Sequence, residues 1–142
     1  MNRIIFFLFF IVSLCSYGQR SSLSAVQKRG NGVTVSLEAK QIEISFLKDN
    51  IIHIRTYPAG QEQKPSLVVN DKAFGVQGIK YRSLQNKITL KSAKVEATYD
   101  VWQDRILFSD AQSHDTILVE GGNQFSEIDD LGEKAYTVSQ TF

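Results

Sequence analysis

The fold is decided by the stretch from Gln41 to Pro58, which reads Gln-Ile-Glu-Ile-Ser-Phe-Leu-Lys-Asp-Asn-Ile-Ile-His-Ile-Arg-Thr-Tyr-Pro. Two runs rich in β-branched and aromatic residues flank the polar cluster Lys48-Asp49-Asn50, and such a cluster between such runs is the usual mark of a β-hairpin. The stretch therefore predicts two antiparallel strands joined at that cluster. Pro58 ends the second strand, because proline has no N–H to donate to the ladder.

Apolar and polar side chains alternate along both runs, so each predicted strand has one buried face and one wet face. The wet face of the second strand carries His53 and Arg55. The predicted core positions of the hairpin are Ile42, Ile44, Phe46, Ile52 and Ile54. A hairpin of this kind forms one wall of an antiparallel sheet that is buried on one side.

The N-terminus predicts a secretory signal peptide over residues 1–18. Arg3 gives a positive start, an apolar run follows to Leu14, and Ser16 and Gly18 are small residues at the positions that a signal peptidase reads. The apolar run is much shorter than the roughly 20 residues of a membrane-spanning helix. Lipid attachment to Cys15 is disfavoured, because the bulky Leu14 precedes it. We therefore expect an exported protein, periplasmic or extracellular, with no membrane contact after cleavage.

Cleavage after Gly18 leaves 124 of the 142 residues, with 15 basic groups (all 16 except Arg3) against 15 acidic ones. This neutral balance argues against a nucleic-acid partner, which would require a basic surface. The single cysteine, Cys15, is removed with the signal peptide. Disulfides, thiol nucleophiles and thiolate metal sites are thereby excluded, and we expect no cofactor. A chain of this length supports one domain.

The order of patterns along the chain predicts an all-β domain. Residues 19–32 are polar with little periodicity and are interpreted as a flexible lead-in, and alternation begins at Val33. About nine short strands follow at roughly ten-residue spacing with no helical period, which favours an antiparallel β-sandwich or barrel over residues 33–142. The predicted segments include a short strand at Ser66–Val69, a long acidic loop at Gly121–Lys134 and a last strand at Ala135–Phe142.

Several stretches, taken in order, resemble a known family. They are Ile51–Pro58, Ser66–Val69, Lys87–Ser92 with Lys94–Ala97, Arg105–Asp110 with Thr116–Glu120, and Tyr136–Phe142. In this order and spacing they resemble the N-terminal β-sandwich domain of glycoside hydrolase family 31, the α-glucosidase and α-xylosidase family. The resemblance covers nearly the whole chain after the signal peptide.

The resemblance implies a galactose-mutarotase-like sandwich that packs against a catalytic (β/α)8 barrel. Enzymes of the family retain anomeric configuration with two aspartates, which lie on the barrel. The sequence stops before a barrel would begin, so no catalytic residue can be assigned to it. We therefore expect a truncated, non-catalytic module whose partners are the barrel and a carbohydrate substrate, and which is not an enzyme on its own.

Four residues are candidates for contact with a carbohydrate. Trp102 lies at a predicted hairpin tip, where its indole could stack on a sugar, although a tip tryptophan more often covers the end of a sheet. Phe125, Asp129 and Asp130 lie in the predicted acidic loop, and the resemblance implies that a loop of this domain can border the sugar pocket. A carboxylate pair or a calcium site in that loop is disfavoured because the spacing fits neither, and a solvated loop is the plainer interpretation.

The chain contains two histidines, His53 and His114. His53 lies on the wet face of its strand and His114 in a turn, so both are expected at the surface without a metal.

One alternative function is a free-standing carbohydrate-binding sandwich, whose aromatic platform would be Trp102 with Tyr99 or Phe125. The other is a small periplasmic ligand-binding barrel, which would need an apolar cavity.

Overall fold

A computed structural model describes residues 22–61 and 76–142. In these ranges the chain forms eleven β-strands. Their bounds are β1 Leu23–Arg29, β2 Gly32–Leu37, β3 Lys40–Lys48, β4 Ile51–Pro58, β5 Lys80–Leu84, β6 Lys87–Lys91, β7 Val95–Asp100, β8 Arg105–Asp110, β9 Thr116–Glu120, β10 Gln124–Asp130 and β11 Glu133–Ser139. The described ranges contain no helix that is long and apolar enough to cross a membrane.

The strands form two facing sheets and a separate two-stranded hairpin. One sheet has the order β1-β2-β3-β4 and the other β5-β6-β7-β8-β9, while β10 pairs only with β11 in the described chain. All of these pairings are antiparallel. The core lies between the facing sheets and consists of Val33, Val35, Leu37, Ile42, Ile44, Phe46, Ile88, Leu90, Ala97, Tyr99, Val101 and Ile106. The predicted antiparallel β-sandwich is thus confirmed.

The hairpin predicted from Gln41 to Pro58 is formed by β3 and β4, with Asp49 and Asn50 in the turn. Ile44 pairs with Ile54 in its register and is fully buried. Ile54 is only partly buried against the core, as is Ile52, because β4 is the last strand of its sheet in the described chain. The predicted core face is therefore correct, but its burial decreases toward this edge.

The flexible lead-in predicted for residues 19–32 is wrong over its described part. Strand β1 occupies Leu23–Arg29 and pairs with β2 through a turn in which Gly30 has φ +55°. Val26 packs against the core, so tertiary pairing orders a segment whose own pattern is weak. The predicted signal peptide and the predicted strand Ser66–Val69 lie outside the described residues.

The acidic loop predicted for Gly121–Lys134 is also wrong, because β10 and the start of β11 occupy most of it. Phe125 and Tyr136 meet edge to face, with ring centroids 6.5 Å apart. Glu127 and Lys134 form an ion pair of 2.6 Å, and cross-strand pairs of both kinds stabilise a hairpin. The turn uses positive φ at two residues, one of them Gly132, which accepts that conformation without steric cost. The last strand, predicted to run to Phe142, ends at Ser139.

Candidate functional site

Trp102 lies in the turn between β7 and β8, as predicted. The carboxylate of Asp100 holds this turn, since its Oδ1 accepts the backbone N–H groups of Trp102 at 3.0 Å and Gln103 at 3.1 Å. The same oxygen accepts the side-chain amide of Asn86 at 2.7 Å, which ties the β5–β6 turn to the β7–β8 turn. Trp102 is 58% exposed. An indole on a hydrogen-bonded turn with this exposure can offer a face to a ligand.

A buried polar network lies beneath this turn. The ammonium of Lys40, at the start of β3, is 2.6 Å from Oδ2 of Asp104 and donates to the carbonyl oxygen of Asn123 at 3.1 Å. The hydroxyl of Tyr99 donates to Oδ1 of Asp104 at 2.8 Å. Burial and the negative charge of Asp104 raise the pKa of Tyr99. The network therefore joins the two sheets to the connector that leads into β10.

Glu120 closes the network at the end of β9. It is buried and accepts a hydrogen bond from the amide of Gln140 at 2.6 Å. Burial raises the pKa of Glu120, while hydrogen bonds from Gln140 and Asn123 and the charge of Lys40 oppose that shift. The backbone N–H of Gly121 donates to the carbonyl oxygen of Thr141 at 2.8 Å. These bonds fasten the chain that follows β11 to the end of β9.

The cavity within this network has a volume of about 10 Å³, which is room for about one water molecule. Asp104 and Glu120 both line it, yet a sugar ring cannot enter a space of this size. A Cβ atom at Gly122 would overlap the carboxylate of Asp104, so the connector must carry glycine there to approach so closely. The glycine thus lets the connector pack directly against Asp104.

The hairpin β10–β11 carries the other predicted site residues. Phe125 lies at its base, two residues from the connector residue Asn123, whereas Asp129 and Asp130 lie at its tip. Oδ1 of Asp129 accepts the backbone N–H of Gly132 at 2.9 Å and so shapes the tip. Asp129 is four positions further along the strand than Phe125, a distance of about 13 Å at the usual rise per residue. The Lys40 network links the Trp102 turn to the base of the hairpin, but the two aspartates lie far from that base.

Neither histidine lies in a metal site. His114 is exposed in a turn, and the partly buried His53 pairs with Ser45 across β3 and β4. Residues 22–61 and 76–142 contain no group of three His, Cys, Asp or Glu side chains that could hold a metal ion.

Sequence reasoning missed the buried polar network, although two of its members were detectable. Lys40 has the same parity as Ile42 and Ile44 on β3, and Glu120 has the same parity as Leu118 on β9. A charged residue on the inward parity of a strand requires a buried partner. Which residue supplies that partner cannot be read from the sequence, because Asp104 is 64 positions from Lys40.

A shallow hollow of about 170 Å³ lies on the outer face of the four-stranded sheet. It opens above Gly32, where a Cβ atom would lie 2.7 Å from the carbonyl oxygen of Ile44 and 2.8 Å from Cβ of Ser45. Its lining includes Arg29, Thr34 and Glu43. Guanidinium, hydroxyl and carboxylate groups around a space of this size could hydrogen-bond a small polar molecule.

The comparisons with known proteins agree with this architecture. No protein-family model matches the chain, and a comparison with curated proteins found no match. Among solved structures, the chain matches a glycoside hydrolase family 31 α-xylosidase from Xanthomonas citri with a TM-score of 0.67 and 25% sequence identity. The chain resembles a domain of family 31. The match covers 81% of this chain but only 13% of the α-xylosidase, so the family 31 resemblance concerns a small part of a larger enzyme.

Proposed function

We propose that the chain is the non-catalytic N-terminal β-sandwich module of an exported family 31 α-glycosidase. In this role it supports the catalytic (β/α)8 barrel and borders one side of the sugar pocket. The observation that carries the proposal is the match to the α-xylosidase, which spans 81% of this chain and 13% of that enzyme. A chain that aligns over most of its own length with a small part of an enzyme fits a supporting module.

The buried polar network supports this role. It holds Trp102 and the base of the β10–β11 hairpin on one rigid framework, through the contacts of Lys40 with Asp104 and Asn123. A residue that borders a pocket must be held in place by its supporting contacts. Trp102 and Phe125 meet this condition better than Asp129 and Asp130, which lie at the tip of a ribbon that is outside both sheets.

We expect no hydrolysis by the chain itself. Retaining hydrolysis requires two carboxyl groups about 5 Å apart on either side of the glycosidic bond, one neutral and one ionised. Asp104 and Glu120 enclose only about 10 Å³, and Asp129 is engaged in the hairpin turn. Binding through one stacked indole supplies at most a few kcal/mol, whereas enzymes lower reaction barriers by at least about 8 kcal/mol.

The test compares two polypeptides made from the same gene, one ending at Phe142 and one read through to the natural stop codon. We expect the longer polypeptide to hydrolyse nitrophenyl α-xyloside or α-glucoside, and the shorter one to be inactive. A stop codon directly after Phe142 would contradict the proposal. So would turnover by the short polypeptide that a single Asp or Glu substitution abolishes.

A free-standing carbohydrate-binding sandwich is the second candidate, and the exposure of Trp102 favours it. It predicts that the short polypeptide binds xylose or glucose oligosaccharides, and that Trp102→Ala weakens binding by about fivefold, since a stacked aromatic contributes about 1 kcal/mol. Leu84→Ala is the matched control, because Leu84 is similarly exposed at the end of β5, next to the neighbouring turn. Equal binding by both variants would exclude an indole platform.

A further inference from the structure

The four edge strands of the sandwich differ in how they are protected. In the described chain the edges are β1 and β4 in one sheet and β5 and β9 in the other. Natural proteins commonly protect a free edge with positively charged side chains, which discourage the addition of another strand. Three of the edges follow this rule, with Lys28 and Arg29 on β1, Arg55 on β4, and Lys80 and Arg82 on β5.

Strand β9 does not follow this rule. It reads Thr-Ile-Leu-Val from residue 116 to residue 119 and carries no charge before the buried Glu120. β-branched and aliphatic residues of this kind favour strand pairing. Only the β8 side of β9 is paired in the described ladder. Its other side therefore has the composition of an inner strand.

The core is also open beside β9. Leu118 on β9 is paired with Phe108 on β8, and Phe108 is paired in turn with the buried Ala97 on β7. Paired residues lie on the same face of a sheet, so all three side chains point toward the facing sheet. Leu118 is nevertheless 42% exposed. Directly opposite residues of an antiparallel pair share a face, so one further strand beside β9 would place side chains where they cover Leu118.

The chain that leaves β11 already runs toward this edge. The register of the hairpin pairs Gln124 with Ser139, and its extension would place Thr141 near Gly122. The observed backbone bond from Gly121 to Thr141 lies within one residue of that position. The returning chain is therefore antiparallel to the end of β9. If this register continues, Phe142 lies opposite Glu120, and the four positions after it lie opposite the rest of β9.

We propose that β9 is an inner strand of the intact protein, and that its free edge is covered by the segment of the same polypeptide that follows Phe142. The five-stranded sheet then has six strands, and the new strand closes the core beside Leu118. This inference rests on the proposed function, in which the chain is one module of a larger enzyme. The ladder begun at Gly121 and Thr141 selects this occupant, because those contacts already deliver the chain to the edge in the correct direction.

The test is amide hydrogen exchange, measured by mass spectrometry on the polypeptide read through to the natural stop codon and on the polypeptide ending at Phe142. We expect the amides of β9 to exchange at least tenfold more slowly in the longer polypeptide. The amides of β5 are the internal control. They belong to the opposite edge of the same sheet, and their exchange is expected to be equal in both polypeptides.

Two results would overturn the proposal. One is equal exchange of β9 in both polypeptides, and the other is concentration-dependent protection of β9 in the short polypeptide, which would identify a second copy as the occupant. If the short polypeptide does not fold, the comparison is made within the longer polypeptide alone. There the amides of β9 must exchange at least tenfold more slowly than those of β5. Equal exchange rates of the two strands would reject the sixth strand. Hydrolysis of nitrophenyl α-glycosides by the same longer polypeptide separates the two proposals. If it is active but the β9 amides are unprotected, only the proposed sixth strand is rejected. If the β9 amides are protected but there is no activity, only the proposed function is rejected.

Discussion

The Nζ atom of Lys40 lies 2.6 Å from Oδ2 of Asp104, although 64 positions separate the two residues in the sequence. The side chain of Lys40 is 9% exposed and that of Asp104 is 28% exposed. The pair holds the first residue of β3 against the β7–β8 turn. A charge buried to this degree is tolerated because its partner compensates it.

We predict that Asp104→Asn lowers the free energy of unfolding by about 3 kcal/mol, the lower end of the range for removing one partner of a buried ion pair, since Asp104 is partly exposed. Urea denaturation measures the loss. Glu127→Gln is the control, because its pair with Lys134 is more than half exposed and such pairs contribute less than about 1 kcal/mol. Equal losses for the two variants would contradict a structural role for the Lys40 pair.

A second prediction separates the centre of the core from its edge. Ile44→Ala should cost about 4 kcal/mol, because Ile44 is fully buried, while Ile54→Ala should cost about 2 kcal/mol, the low end for such truncations, because its site is partly open. Ile117→Ala is the control in the short polypeptide, where its exposed side chain should contribute less than about 0.5 kcal/mol. Thermal or urea unfolding that ranks Ile54 above Ile44 would reject the observed burial.

The third prediction concerns pH. Burial raises the pKa of Glu120 in the folded protein above its ordinary value of 4.5, so the folded state binds the proton more readily than the unfolded state. The contribution of Glu120 to stability is therefore fully present below pH 4.5 and is lost as pH rises through the folded-state pKa. Glu120→Gln should remove this dependence, so that the variant gains stability relative to the wild type as pH increases from 4 to 7.

Asp110 provides the opposite control for that experiment. Backbone hydrogen bonds from Ser113 and Gln112 lower its pKa in the folded protein. Its contribution is present above the unfolded-state pKa and is lost as pH falls through the folded-state pKa. Urea unfolding from pH 3 to pH 7 should therefore give difference curves of opposite slope for Glu120→Gln and Asp110→Asn. Slopes of the same sign would show that the assignment to Glu120 is wrong.

A fourth prediction tests export. The small residues Ser16 and Gly18 after the apolar run predict that the mature chain begins at Gln19. Intact-mass analysis of the secreted or periplasmic protein should give a chain that starts there. Retention of Met1, or a lipid on Cys15, would reject a cleaved secretory signal.

The sequence predicted those strands whose own alternation of apolar and polar residues identifies them. Alternation from Ile42 to Thr56 and the polar cluster at Asp49 were enough to predict the β3–β4 hairpin. Both the buried face of each strand and the position of the turn follow from neighbouring residues in the sequence. Strand β10 could not be recognised in this way. Its Glu and Asp residues are poor strand formers, and its order comes from cross-strand contacts such as Phe125 with Tyr136.

The candidate site was less accessible to sequence reasoning. The turn position of Trp102 followed from the polar residues around it, and the structure confirms that position. The network beneath it joins side chains from β3, β7 and the β7–β8 turn to a backbone carbonyl of the β9–β10 connector. Its geometry depends on how the two sheets are stacked, which no local pattern specifies.

The strand order described above also bears on how quickly the domain can form. Each described ladder joins strands that are consecutive in the sequence, whereas many sandwiches cross from one sheet to the other between neighbours. Short loops cost little closure entropy, and chains with local contacts fold faster than chains with distant pairings. The two meanders can therefore assemble hairpin by hairpin, and the docking of one sheet on the other, fixed by Lys40 and Asp104, is expected to be the slow step.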